Sequence, residues 1–109
     1  MDNNKIYRAP TWARLWRFTD KEHRGSLDLV VLQNPKGSYG IIENVFVKEE
    51  FRNQGIASSL IKEAIQTAKE KNLYKITLTC ADEMISFYSK FGFEWKNSGQ
   101  GYCMRIDLK

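Results

Sequence analysis

Apolar residues fall along this chain in short blocks whose spacing shifts from alternation to three- and four-residue steps and back again. Leu27, Leu29, Val30, Val31 and Leu32 make a brief, partly β-branched run over residues 27–32. Asn34, Pro35, Lys36 and Gly37 then supply turn chemistry, proline fixing φ and glycine closing. Residues 41–47 set Ile41, Ile42, Val45, Phe46 and Val47 around the polar pair Glu43 and Asn44, which predicts an interior strand interrupted by two hydrophilic side chains. Upstream, residues 7–18 mix aromatics with arginines, and 13–18 predict a short strand after a turn bearing Pro10. From 54 to 71, Ala57, Leu60, Ile61, Ala64, Ile65 and Ala68 recur at helical spacing and leave Lys62, Glu63, Gln66 and Lys69 outward. That is the pattern of an amphipathic helix, and Asn72 can end it. Residues 74–79 alternate as a further strand. Asp82 offers a cap to a second helix, with Met84, Phe87, Tyr88 and Phe91 on one stripe and Gly92 as a left-handed stop. Residues 93–95 and 102–108 read as a closing antiparallel pair.

Strand, helix and strand between 41 and 79 predict parallel neighbours joined by a right-handed crossover. The expected class is α/β (α+β), a mixed and mostly antiparallel sheet with two main helices. With 109 residues, 42% of them hydrophobic, the chain can fill one core and not two, so a single domain over 1–109 is expected. Met1, Asp2, Asn3, Asn4 and Lys5 contain no apolar signal-peptide core, and no later stretch approaches membrane-spanning length, so no membrane role and a cytoplasmic location are expected.

Cys80 and Cys103 form no CxxC pair, which indicates neither a redox motif nor a metal site, and no metal is expected. The net charge is +4, with Lys5, Arg8, Arg14, Arg17, Lys21 and Arg24 concentrated early. Such an excess suits an anionic ligand or macromolecule, or is a solvated surface with scattered charge.

The most informative segment follows Val47. Lys48, Glu49, Glu50 and Phe51 lead into Arg52, Asn53, Gln54, Gly55, Ile56, Ala57 and Ser58 at the start of the long helix. A helix start leaves backbone N–H groups without partners and adds partial positive charge, so a pyrophosphate can sit there. Gly55 removes a Cβ that would crowd the anion, Ala57 keeps the next turn narrow, and Arg52 and Ser58 offer charge and a hydroxyl. The dipole contributes about 0.3–1 kcal/mol, so the array of N–H donors must carry most of the attraction.

Residues 47–57 resemble the coenzyme A-binding motif of the GNAT acetyltransferase superfamily, in which Arg or Gln, two residues, Gly, one residue and Gly or Ala follow in order. Phe87, Tyr88, Ser89, Lys90, Phe91, Gly92 and Phe93 resemble the late helix motif of the same superfamily. The stretch 74–80, with Phe87, Tyr88 and Gly40 to Val45, is similar to the glucosamine-6-phosphate N-acetyltransferase branch over roughly the last two thirds of the chain. In those enzymes aspartates stand where this chain has Asn44 and Thr79, and the acceptor stays open. The resemblance implies a GNAT-like domain whose central parallel strand pair is splayed for coenzyme A. It also implies that a first strand and two helices are here reduced to the segment before Leu27, and that a second copy completes the molecule as a homodimer.

It further implies acetyl-CoA as cofactor and direct attack by a primary amine, on a small molecule such as an amino sugar or on a protein lysine. Val45 and Val47 are expected to hold the pantetheine arm through their main chain, and a main-chain N–H at Val45 or Phe46 to stabilise the oxyanion. An alkyl amine with a pKa of about 10.4 must lose a proton before it attacks at neutral pH. Glu43 is the candidate base, directly or through water, a structural ion pair being the other reading. Tyr88 is the candidate acid for the leaving thiolate, or merely a member of the apolar stripe. His23 among Lys21, Glu22 and Arg24 reads as an exposed loop residue. Trp12 and Trp16 are either walls of an acceptor pocket with Arg14 and Arg17 or core fillers, and nothing marks Cys80 as an activated thiol. The competing functions are a catalytically silent acetyl-CoA-binding module and, last in order because no recognition motif supports it, a basic nucleic-acid binder.

Overall fold

The computed structural model describes residues 5–8, 13–96 and 102–109. The order is β1 (Lys5–Arg8), β2 (Arg14–Thr19), β3 (Gly25–Asn34), β4 (Gly37–Val47), α1 (Ile56–Glu70), β5 (Lys75–Leu78), α2 (Ile85–Ser89), β6 (Glu94–Trp95) and β7 (Met104–Asp107). One sheet contains all seven strands in the order β1-β2-β3-β4-β5-β7-β6. Every neighbouring pair is antiparallel except β4 and β5, which run parallel as the strand–helix–strand pattern predicts. The strand β1 was not foreseen, and the turn at Pro10 and the reading of Trp12 lie outside the described residues.

Local chemistry explains the long β2–β3–β4 meander. Asp20 closes the β2–β3 turn, its carboxylate accepting from Arg24 Nε at 2.7 Å and from the Glu22 and Arg24 amides, while His23 turns through a left-handed φ of 57° and stays exposed. Between β3 and β4, Asn34 Oδ1 accepts from the Lys36 amide at 2.9 Å and Asn34 pairs with Gly37 across the two-residue loop.

Helix α1 lies against β2, β3 and β4 and buries Ile56, Leu60, Ile61, Ala64, Ile65 and Ala68. Under it sit Phe18, Leu27, Leu29, Ile42, Ile76 and Leu78, all at most 3% exposed. Burying each such side chain is worth about 1.5–3 kcal/mol. The helix starts at Ile56 because Gly55, at φ 81°, is not helical. It ends as expected, with Asn72 at φ 59° and the Leu73 amide donating to Ala68 O at 3.0 Å.

The second helix is shorter than its apolar stripe. Asp82 opens a 3-10 turn, Asp82–Met84, and its side chain caps nothing; α2 begins only at Ile85. On the stripe Tyr88 is buried, Phe87 and Phe91 are half-buried, and Met84 is exposed. Phe87 meets Tyr88 and Phe91 edge-on, and Tyr88 meets Phe93 in the same way. Gly92 ends the segment at φ 99°.

Candidate active site

The parallel seam is short. Gly40 pairs with Ile76 and Ile41 with Thr77; beyond them β5 ends at Leu78 while β4 runs on beside β3 to Val47. Gly40 sits so close beneath the core that a Cβ there would meet Leu29 Cδ1 at 2.8 Å. The far half of β4 therefore has one partnered edge and one open edge. Lys48 N–H donates to Arg24 O on the β3 side, so by alternation the main-chain groups of Val47 and Val45 face the open side.

A bulge breaks β4 at the polar pair singled out in the sequence. Ser26 faces Phe46 and Asp28 faces Glu43, so Asn44 and Val45 stand together opposite Leu27. Asn44 takes the left-handed turn at φ 55°, which asparagine tolerates better than most residues. Its Nδ2 donates at 2.9 Å to Oδ2 of Asp28, which is 1% exposed, and Arg17 from β2 donates to both oxygens of the same carboxylate at 2.7 and 2.9 Å. Burial pushes the Asp28 carboxyl upward, but the hydrogen bonds from Arg17 and Asn44 and the charge of Arg17 outweigh it and hold the group below its ordinary value.

The open edge borders two clefts. One, of about 680 Å³, is formed by Val45, Phe46 and Val47, the start of α1, and Met84, Phe87 and Lys90 beside α2. At Gly55 a Cβ would find no protein atom within 4 Å, so the space before the helix start is open, and the positive φ favours glycine there. No side chain caps the helix and no acidic residue lies in its first turn. These features fit an extended ligand carrying phosphate. Arg52, Asn53, Ile56, Ala57 and Ser58 border this cleft, whereas Gln54 does not line it. Arg52 Nε donates to Val47 O at 3.0 Å, tying the guanidinium to the end of β4.

The other cleft, of about 460 Å³, opens between β4 and β5 and contains Glu43 and Asn44 facing Thr77 and Thr79. Glu43 is exposed and makes no ion pair among the described residues, which leaves the ion-pair reading without a partner there. Tyr88 is 5% exposed and no hydrogen bond reaches its hydroxyl among the described residues. Burial, with a smaller contribution from Cys80, raises its pKa and keeps the phenol protonated. Cys80 lies 3.9 Å from Cys103, Sγ to Sγ, and burial followed by the Cys103 hydrogen bond pushes its thiol up to about 11. It is therefore held as a thiol. Trp16 is 5% exposed in the core beneath the Lys71 ammonium, and Arg17 is engaged by Asp28.

The acetyltransferase (GNAT) family profile matches residues 5–93. The chain belongs to this family. Among GNAT relatives, it is 31% identical over 65 residues to glucosamine 6-phosphate N-acetyltransferase 1 of Oryza sativa subsp. japonica, covering 60% of this chain and 39% of that one. It is 31% identical over 85 residues to an L-amino acid N-acetyltransferase of Escherichia coli, covering 74% of this chain and 52% of that enzyme. The matches thus span about two fifths to half of these relatives. A solved GNAT acetyltransferase from Staphylococcus aureus superposes with a TM-score of 0.69 at 26% identity, over 91% of this chain and 70% of that one.

Within this GNAT fold the site residues read from the sequence border the splay, except Gln54 and the buried Tyr88, which line neither cleft. What the sequence reading missed is the buried Asp28 that holds the bulge. Its signal was present: a lone carboxylate between Leu27 and Leu29 in an apolar run requires a partner.

Proposed function

We propose that this chain binds acetyl-CoA and transfers the acetyl group to a primary amine by direct attack. The observation that carries this reading is the conjunction of an uncapped helix start at Gly55 with an open β4 edge that leads from it to Glu43. The helix-start amides, with Arg52, Asn53 and Ser58, would hold the diphosphate, and Val45 and Val47 the pantetheine arm through main chain. The donor supplies an activated thioester; everything else falls to residues of this chain.

Glu43, which makes no ion pair among the described residues, accepts the proton of the incoming ammonium, directly or through water. The bulge at Asn44 and Val45 interrupts the ladder and leaves the Val45 main-chain N–H for the developing oxyanion, whereas the other candidate, that of Phe46, faces β3. Tyr88, protonated and without a hydrogen-bond partner among the described residues, donates to the leaving thiolate. Substrates of the relatives, amino-sugar phosphates and amino acids, support a small amine as acceptor, with a protein lysine as the alternative. We also place the chain in the cytoplasm as one domain; no helix among the described residues is long and apolar enough to cross a membrane. A homodimer is favoured by the exposed Trp95 on the two-residue edge strand β6.

Calorimetry with acetyl-CoA, paired with thiol release across a panel of primary amines, tests the reading. Binding heat and amine-dependent release of CoA are expected. Heat without release would make the chain a silent acetyl-CoA-binding module, and no heat would remove the cradle itself.

A further inference from the structure

We propose that the acceptor amine carries an anionic group, phosphate or carboxylate, and that Lys75 is the residue that selects it. The proposal deepens the acetyl-transfer reading and rests on it for the position of the amine. Tyr39, Ile41 and Glu43 alternate onto one face of β4, and Lys75, Thr77 and Thr79 stand beside them; all six border the cleft between β4 and β5. Glu43 marks one end of that row and Lys75 the other, about 13 Å apart along the strand direction at roughly 3.3 Å per residue.

The Lys75 ammonium sits among aromatic faces rather than carboxylates. Its Nζ lies 5.0 Å from the centroid of Tyr39, 5.4 Å from that of Tyr102 and 5.5 Å from that of Tyr74. The cross-strand neighbour of Lys75 is the carboxylate Asp107, and that group accepts from Arg105 Nε at 2.7 Å. Arg105 also donates to Tyr102 Oη at 3.3 Å, which places a second cation at the hydroxyl of one of these rings. Lys75 therefore makes no ion pair among the described residues although it is half-buried and borders a cleft. Three rings compensate part of its lost hydration, and an anion completes it. Negative charge at the Lys75 end and an amine at the Glu43 end match the polarity of the cleft.

The experiment compares matched amines with and without the anion: glucosamine 6-phosphate against glucosamine for phosphate, and L-lysine against L-lysinamide for carboxylate. Turnover is read as CoA release and binding by calorimetry on the acetyl-CoA-loaded protein. The wild-type chain is expected to favour at least one anionic member on the order of tenfold, the scale of a charge-assisted hydrogen bond, and which pair shows it identifies the anion. Lys75→Gln should reduce that ratio to near one, and Lys75→Arg should restore most of it. Equal treatment of both pairs by the wild type, or a preference that survives Lys75→Gln, overturns the assignment. Should Lys75→Gln not fold, Lys75→Arg against Lys75→Met carries the same comparison. If no amine is turned over, the acetyl-transfer reading fails separately; calorimetric preference for the anionic members then still decides for or against Lys75.

Discussion

Tyr88 places a phenol where almost no solvent reaches it and no hydrogen bond meets it among the described residues, an arrangement that costs stability and so calls for a functional reason. Tyr88→Phe keeps the edge-on contacts with Phe87 and Phe93 and deletes only the oxygen. Melting temperature is expected to hold or rise slightly, and kcat for CoA release to fall about a hundredfold, the low end of general acid catalysis. An unchanged kcat would return Tyr88 to the aromatic stripe. The identity of this residue as a candidate was readable from the Phe87-to-Phe93 block, but its buried, unpartnered state was not, because that depends on Phe93 and on Cys80 at the end of β5. Gly55 was readable as the helix start its pattern announced, and the fold adds that its φ of 81° favours glycine.

At the scale of elements, β4 is the decisive one. The sequence pattern located it, and even flagged Glu43 and Asn44 as an interruption, yet periodicity says nothing about a residue in the left-handed region or about a partner sixteen positions away. Asp28 is the buried group that joins β2, β3 and the β4 bulge. Its folded pKa lies below its ordinary value of 3.8. The stabilisation it contributes is therefore fully present above about pH 4 and is lost as pH falls through the folded value. Asp28→Asn should cost about 1.5 kcal/mol at pH 7, the low end for hydrogen bonds to a charged group, since the Arg17 left behind is 47% exposed and solvated. It should also flatten the decline of melting temperature below pH 4, measured by thermal unfolding across pH. A variant as stable and as acid-sensitive as the wild type would show the network to be idle. For α1 the reverse holds: six buried positions at helical spacing made it legible almost to the residue, while α2 was overestimated because Met84 is apolar but faces outward.

At the scale of the whole molecule, the parallel pair and the closing antiparallel pair were legible, whereas the place of β7 between β5 and β6 was not read, and β1 escaped notice because its four residues, two of them charged, carry no clear alternation. The proposed homodimer belongs here. Sedimentation is expected to give a single species near twice 12.7 kDa at micromolar concentration, and Trp95→Lys, at the exposed edge, should shift it toward the monomer. A monomer throughout the concentration range would end the proposal. One further consequence comes from the seam at Gly40 and Ile41. Two residue pairs make up the whole ladder between β4 of the four-stranded ribbon and β5 of the small ribbon of β5, β7 and β6. The sheet is thus thinly laddered beside the candidate site, and the core under α1 supplies the rest of the join. Whatever wedges into that gap must also brace the two ribbons against each other, so that occupancy and rigidity rise and fall together.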